Sequence, residues 1–102
     1  MLFRSVRVIS KRGLWLRVAK FADALSALRV WLVTAESAQW STLHDIGLSF
    51  PATDLVGQLA IFNIKGNRYR LIVRMEFQSR RIYIKEFLTH AEYDKGAWEK
   101  WL

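Results

Sequence analysis

The most regular hydrophobic pattern in the chain lies between Arg68 and Phe77. Apolar and polar side chains alternate there almost without a break, which predicts a β-strand with two unlike faces. One predicted face carries Tyr69, Leu71, Val73, Met75 and Phe77. The opposite face carries Arg68, Arg70, Ile72, Arg74 and Glu76.

The segments on either side extend this strand into an antiparallel sheet. Leu59 to Ile64 is predicted as a strand, and Lys65-Gly66-Asn67 as the turn after it, because Gly and Asn tolerate positive φ. A second turn at Gln78-Ser79-Arg80 leads into a strand from Arg81 to Leu88. The predicted faces of that strand are Ile82, Ile84 and Leu88 on one side and Arg81, Tyr83, Lys85 and Phe87 on the other.

The first half of the chain is predicted to be mainly helical. After a short strand from Phe3 to Ile9, a first helix covers Lys11 to Phe21, and Asp23 caps a second helix that runs to about Gln39. The apolar stripe of this second helix consists of Leu25, Leu28, Leu32 and Ala35. Trp40 to Gly57 is predicted as a loop with at most a short helical turn, and His90 to Trp101 as a short final helix.

These elements predict one α+β domain over residues 1–102, a small antiparallel sheet with helices on one face and cations on the other. No cysteine is present, which excludes disulfide frameworks and thiolate zinc sites, and two histidines make a poor metal site. We expect neither a metal nor a cofactor. The longest strongly apolar charge-free run, Leu55 to Ile64, is about half of the ~20 residues of a membrane helix, so we expect a cytoplasmic protein with no membrane contact.

The net charge of +7 is concentrated in two segments. Residues 1–22 hold six cations and no acid, and residues 61–90 hold seven cations and two acids. If the two segments meet in space, this distribution is typical of a polyanion-binding protein, and the alternative is a solvated basic surface without a partner.

The alternation places guanidinium groups and aromatic rings on one predicted sheet face. Arg68, Arg70 and Arg74 share that face, and the next strand adds Arg81 and Lys85 beside Tyr83 and Phe87. Such rows suit phosphate contact together with base stacking, as single-stranded RNA recognition requires.

Three residues with useful side-chain chemistry follow the last predicted strand. His90 can transfer protons near neutral pH, Tyr93 can donate a hydrogen bond or stack, and Lys95 can neutralise a phosphate. RNA can be cut by its own 2′-hydroxyl if a protein aligns it, moves its proton and stabilises the phosphorane. The structural alternatives are that His90 is a helix cap or surface residue and that Arg70 is a solvated strand residue.

Several sequence blocks resemble one known family. The blocks FNIKGNRYRLIV (residues 62–73), YIK (83–85) and THAEYDKG (89–96), with Phe50-Pro51 before them, are similar to those of the HigB-type toxins of bacterial type II toxin–antitoxin systems. The resemblance implies a RelE-like fold, with an N-terminal pair of helices on one face of the sheet. It also implies an mRNA interferase that acts on mRNA in the ribosomal A site and is silenced by a HigA-like helix-turn-helix antitoxin.

The resemblance also implies roles for individual residues. Arg70 lies where RelE-like toxins place an arginine that stabilises the scissile phosphate, and Tyr93 lies near a C-terminal stacking or proton-transferring tyrosine. His90, in the THAEYD block, is the candidate acid or base. The candidate RNA-binding residues are Lys65, Arg68, Arg74, Arg81, Lys85 and Lys95. The rival interpretation is a non-enzymatic RNA-binding module or a ParE-like toxin that poisons gyrase.

Overall fold

A computed structural model describes residues 7–10 and 12–102 of the chain. Residues 3–6 of the first predicted strand and Lys11 of the first predicted helix lie outside that part. The elements in chain order are β1 (Arg7–Ser10), α1 (Arg12–Val18), α2 (Ala22–Ser37), α3 (Leu43–Ser49), β2 (Asp54–Val56), β3 (Leu59–Ile64), β4 (Tyr69–Glu76), β5 (Arg81–Thr89), α4 (His90–Asp94) and a 3₁₀-helix (Ala97–Trp101).

Within the described residues, the sheet has five strands in the order β1-β5-β4-β3-β2, and together with the helices it confirms the predicted α+β class. The strands β2 to β5 are antiparallel to their neighbours, as predicted. The prediction of a wholly antiparallel sheet is wrong, because β1 pairs with β5 in parallel, from Arg7 opposite Arg81 to Ser10 opposite Ile84. No hairpin joins these two strands, so turn geometry does not impose an antiparallel direction on them.

A β-bulge in β5 changes which of its side chains face the core. The pairing passes from Ile72 opposite Glu86 to Val73 opposite Ile84, so Lys85 is the extra residue. Phe87 is therefore 1% exposed and lies in the same core cluster as Ile84, whereas Leu88 lies on the opposite face. The sequence predicts that Leu88 lies on the same face as Ile82 and that Phe87 lies on the basic face. Both predictions are wrong, because a strict alternation pattern does not reveal an inserted residue.

The main hydrophobic core lies between α2 and one face of the sheet. The buried residues of α2 are Ala24, Leu28, Trp31 and Ala35, so Trp31 takes the central place that the predicted stripe gave to Leu32. The indole of Trp31 packs edge-on against Phe62 at 5.2 Å between ring centroids. Asp23 is not the N-cap of this helix: Phe21 holds that position, and Asp23 lies in the first turn.

The segment predicted as a loop, residues 40–57, contains both a helix and a strand. The helix α3 begins at a capping box in which the Thr42 hydroxyl accepts from Asp45 N and the Asp45 carboxylate accepts from Thr42 N. Trp40 anchors the segment by donating from Nε1 to the Ser49 hydroxyl at 3.0 Å. The prediction of a loop here is wrong, because tertiary packing and local caps stabilise seven residues of helix without a long hydrophobic period.

The predicted final helix is interrupted at Gly96, which adopts a left-handed conformation with φ of 78°. The 3₁₀-helix beyond it brings Trp98 and Trp101 against the second sheet face, where they pack with Tyr93. The buried centre of this second cluster consists of Leu59, Ile61, Ile72 and Leu88. The arginine-bearing face is therefore partly covered, not open. Within the described ranges, no helix has the length and apolar character to cross a membrane.

Gly96→Ala is expected to destabilise the protein by about 1–2 kcal/mol, because an L-residue is strained in the left-handed region. An added Cβ would also meet Glu99 Oε1 at 2.4 Å, although that flexible carboxylate can move. The control is Gly47→Ala in α3, where a Cβ meets nothing within 4 Å, and a stabilisation of about 0.5–1 kcal/mol is expected. Urea unfolding measures the change in the free energy of unfolding for both variants. Stabilisation by Gly96→Ala would contradict the left-handed conformation of Gly96.

Candidate active site

Arg70 is the one buried charged residue in the described part of the chain, with 7% of its surface exposed. It lies second in β4, opposite Asn63 on β3 and Leu88 on β5. One terminal guanidinium nitrogen donates to the carbonyl oxygens of Asn67 and Tyr69, each at 3.1 Å. The other donates to Asn67 Oδ1 and lies 3.1 Å from His90 Nδ1. The sheet thus holds the guanidinium at the end of the hairpin between β3 and β4.

His90 begins α4, and the contacts that fix its backbone do not involve its own side chain. Thr89 and Glu92 form a capping box, and the amide of His90 donates to Arg68 O at 2.9 Å. Since Arg70 can only donate, the hydrogen-bond network assigns the acceptor role to Nδ1 of the imidazole. The ring proton is then on Nε2, which lies 3.2 Å from Asp94 Oδ2. Asp94, four residues along the chain, therefore orients the imidazole.

Tyr93, a half-buried residue of α4, completes the cluster. Its ring centroid lies 5.4 Å from Arg70 Cζ and 5.2 Å from the ring of Trp98, which is nearly parallel to it. Trp98 also donates from its indole nitrogen to Tyr93 O at 3.1 Å. Burial raises the pKa of the Tyr93 phenol, the negative charge of Asp54 raises it further, and Arg70 opposes both. The phenol therefore keeps its proton at neutral pH and can donate it.

The structure brings the three predicted catalytic residues, Arg70, His90 and Tyr93, into one cluster. A buried guanidinium can stabilise developing negative charge, and an imidazole and a phenol can exchange protons with a bound substrate. Within residues 7–10 and 12–102, no group of three or more His, Cys, Asp or Glu side chains could hold a metal ion.

Of the predicted RNA-binding residues near this cluster, two are exposed to solvent and one is held by another side chain. Lys65 is exposed in the turn before β4, where its φ is 56°, and Lys95 is exposed just after α4. Arg68 does not extend the row that Arg70 begins. Its guanidinium is 3.0 Å from a carboxylate oxygen of Asp23 on α2, so it lies on the side of the helices. The expectation that Arg68 shares the face of Arg70 is wrong, because it precedes the strand and Asp23 binds it.

The remaining predicted RNA-binding residues lie farther along the sheet. Arg74 is four residues beyond Arg70, about 13 Å along the strand, and lines an open groove of about 400 Å³ with Gln58 and Gln78. Arg81 is exposed at the start of β5. Lys85, at the bulge, has its ammonium 5.2 Å from the ring of Trp101 and 5.6 Å from that of Tyr83. These cations form separate groups, not one row.

Asp23 has a structural role that the sequence did not indicate. The Tyr69 hydroxyl donates to its Oδ1 at 2.7 Å, and Arg68 binds its Oδ2. The pKa of Asp23 is lowered, chiefly by the hydroxyl of Tyr69, and the pKa of Tyr69 is raised, chiefly by Asp23. The contact ties α2 to the first residue of β4.

Four further residues at the site, Thr89, Glu92, Asp94 and Asn67, were missed in the sequence, and the first three carried a signal. The T-x-x-E spacing of Thr89 and Glu92 is a capping-box pattern, and His90 and Asp94 have the i,i+4 spacing of facing helix residues. Asn67 was assigned only to the turn. Nothing in its spacing shows that it contacts Arg70 both through its carbonyl and through its side chain.

Arg17 links α1 to the same site. Its guanidinium forms an ion pair with Glu92 and donates from Nε to Phe87 O at 2.6 Å. The pKa of Glu92 is lowered, first by the hydrogen bond from the Thr89 amide and then by the charge of Arg17. Glu92 therefore contributes stability that is present above its unfolded pKa of about 4.3 and is lost as the pH falls through its lower folded pKa.

Glu92→Gln is expected to lower the free energy of unfolding by about 0.5–1 kcal/mol at pH 7, because Gln keeps the cap but loses the charge. The difference from the original protein should shrink as the pH falls below the unfolded pKa of about 4.3, and vanish once Glu92 is protonated in the folded protein as well. Urea unfolding across this range measures it, with the exposed Glu36→Gln as the control. A difference that stays constant down to pH 3 would show that the charge of Glu92 does not stabilise the fold.

Comparison with known proteins places these residues in a wider context. Residues 24–96 match the HigB toxin family, described as the RelE-like toxic component of a toxin–antitoxin system. Over 76 residues the chain is 30% identical to an mRNA interferase HigB of Escherichia coli serotype O6:H1, with 72% of this chain and 73% of that relative covered. Over 34 residues it is 44% identical to the mRNA interferase toxin HigB of Escherichia coli and to the mRNA interferase HigB of Shigella flexneri. That shorter match spans 33% of the length of each of these two relatives.

Proposed function

The chain belongs to the HigB family of RelE-like toxins, and on that premise we propose that it is the toxin of a type II toxin–antitoxin pair and cleaves mRNA. The observation that carries the proposal is the cluster of a buried Arg70, the imidazole of His90 and the phenol of Tyr93. Relatives are named mRNA interferases, which supports RNA as the substrate.

RNA supplies its own nucleophile for this reaction. A base removes the proton of the 2′-hydroxyl, the oxygen attacks the adjacent phosphorus, and the leaving 5′-oxygen receives a proton, which yields a 2′,3′-cyclic phosphate. Arg70 stabilises the charge of the phosphorane. An incoming phosphate oxygen replaces His90 Nδ1 as an acceptor for Arg70, which frees the imidazole to take a proton. The protonated phenol of Tyr93 suits the opposite role.

Other cations contact the RNA at a distance from the scissile bond. Lys65 and Lys95 flank the cluster, and Arg74, Arg81 and Lys85 contact phosphates farther along β4 and β5. Arg68 contributes only if it exchanges Asp23 for a phosphate. The substrate is mRNA in the ribosomal A site, in the cytoplasm, where the net charge of +7 favours association with ribosomal RNA.

The partner in this proposal is a HigA-like helix-turn-helix antitoxin that covers or distorts the basic surface. The RelE-like arrangement, with the N-terminal pair of helices on one sheet face, belongs to the same proposal. It is supported by Val18 of α1 and Leu28 of α2, which share the main core with Phe62 and Phe87 of the sheet.

The test is incubation of the purified protein with programmed ribosomes and, separately, with the same mRNA free in solution. We expect cleavage on the ribosome, with 2′,3′-cyclic phosphate ends, and little cleavage of the free RNA. Efficient cutting of free RNA would contradict ribosome dependence. Transcripts that are bound but intact would favour the non-enzymatic RNA-binding module, and inhibition of gyrase with intact transcripts would favour a ParE-like toxin.

A further inference from the structure

The guanidinium of Arg70 is held by neutral acceptors. Its two terminal nitrogens carry four N–H groups, and their partners are the carbonyls of Asn67 and Tyr69, Asn67 Oδ1 and His90 Nδ1. Asn67 provides two of the four acceptors. Among the described residues, no carboxylate lies within ion-pair distance of this guanidinium. The ion pairs of these residues all join other side chains.

Two nearby carboxylates, those of Asp23 and Asp94, are held by other groups. Asp23 binds Arg68 and Tyr69, and Asp94 binds His90. The positive charge of Arg70 is therefore positioned without being neutralised by a directly bound acid. A charge with 7% exposure interacts more strongly with a bound phosphate than an exposed one does, since solvent screens it less.

The hairpin between β3 and β4 fixes the place of Asn67. Lys65 and Gly66 both have positive φ, of 56° and 65°, and the amide of Arg68 bonds back to Lys65 O at 3.3 Å. Arg68 O in turn accepts from the amide of His90 at 2.9 Å. The turn that carries Asn67 is thus bonded to the start of α4, and its acceptors have a defined position relative to both Arg70 and His90.

We propose that Asn67 is the positioning residue of the site: it orients Arg70 with neutral acceptors and so leaves the guanidinium charge for the scissile phosphate. The role requires an uncharged side chain, because an Asp at the same place would bind Arg70 as an ion pair and compete with the phosphate. This inference rests on the proposed function, since the phosphate is that of the RNA substrate.

The decisive variant is Asn67→Asp, which keeps the shape and the acceptor oxygen but adds a negative charge. We expect it to be at least as stable as the original protein in urea unfolding, because the hydrogen bond to Arg70 becomes charge-assisted. Its cleavage rate on programmed ribosomes should nevertheless fall about 100-fold. Asn67→Ala, which keeps the backbone acceptor, should lose about tenfold or less. Gln39→Glu, an exposed change of equal charge just after α2, should cleave normally.

Binding of inorganic phosphate gives a second measurement that does not depend on cleavage. Titration followed through the NMR signal of the Arg70 Nε–H group should show a half-saturation concentration at least about tenfold higher in Asn67→Asp than in the original protein. If the original protein does not cut RNA but this difference appears, the proposed function fails and the role of Asn67 stands. Normal cleavage by Asn67→Asp, equal phosphate binding, or losses of activity that follow losses of stability would overturn the role of Asn67.

Discussion

Arg70→Ala is expected to reduce cleavage of mRNA on programmed ribosomes by about 10²–10³-fold, the usual effect of removing a group that stabilises charge in a transition state. The physical reason is that the guanidinium is positioned by the sheet and is not paired with a carboxylate within the described residues. The rate constant at saturating ribosome concentration measures the effect. Arg70→Lys should recover only part of the activity, since an ammonium cannot reproduce the planar fork.

The control for Arg70→Ala is Arg29→Ala, an exposed cation on α2 outside the cluster. It removes the same formal charge from the protein, so an effect of net charge on ribosome binding would appear in both variants. Circular dichroism and urea unfolding show whether the Arg70 variant is folded. Full cleavage by folded Arg70→Ala, or equal loss in the Arg29 variant, would contradict the assigned role.

His90→Ala is expected to reduce the same rate by about 10²–10⁴-fold, the range typical of a lost general acid or base. The imidazole bears an acceptor nitrogen 3.1 Å from Arg70 and a donor nitrogen 3.2 Å from Asp94, so it can take a proton once phosphate displaces the arginine contact. Single-turnover cleavage of mRNA over a range of pH measures the loss. The variant should also lack the limb of the rate–pH profile that proton transfer by His90 produces.

Asp94→Asn separates orientation of the imidazole from proton transfer. It should cost less than His90→Ala and keep the shape of the pH profile, because the amide can still accept from Nε2. Tyr93→Phe retains the ring beside Arg70 and Trp98 and removes only the hydroxyl. If His90→Ala left the rate and the pH profile unchanged while Tyr93→Phe abolished cleavage, proton transfer would belong to Tyr93 and not to His90.

The strands β3, β4 and β5 and the second helix could be predicted because their signals are local. The alternation in β4 follows from the pleat of one strand, and the observed strand differs from the predicted one by a single residue at each end. In α2, Leu28 and Ala35 are buried as predicted, since both lie on one helical stripe. Errors occurred where distant residues decide the structure: β1 pairs with a strand more than seventy residues later, and α3 depends on packing around Trp40.

For the candidate site, the sequence indicated Arg70, His90 and Tyr93 as residues of suitable chemistry. It could not show that the first is buried, that the second contacts it, or that Asn67 and Asp94 orient the pair, because those facts depend on a hairpin turn meeting a helix twenty residues away. The bulge at Lys85 is a second such case. One inserted residue moved Phe87 into the core and removed it from the proposed RNA face.

The sequence by itself determined the family, the α+β class, the excess of positive charge and the strand that carries Arg70. Each of these depends on the types of residue and on their spacing along the chain, or on their sum over the chain, and therefore needs no knowledge of contacts between distant segments. Only the tertiary structure decided that the basic residues form separate groups, that the two C-terminal tryptophans cover part of the same sheet face, and that Arg70 keeps its charge among neutral acceptors. Burial, register and the choice of hydrogen-bond partner depend on segments distant in sequence, and no pattern within one segment specifies them.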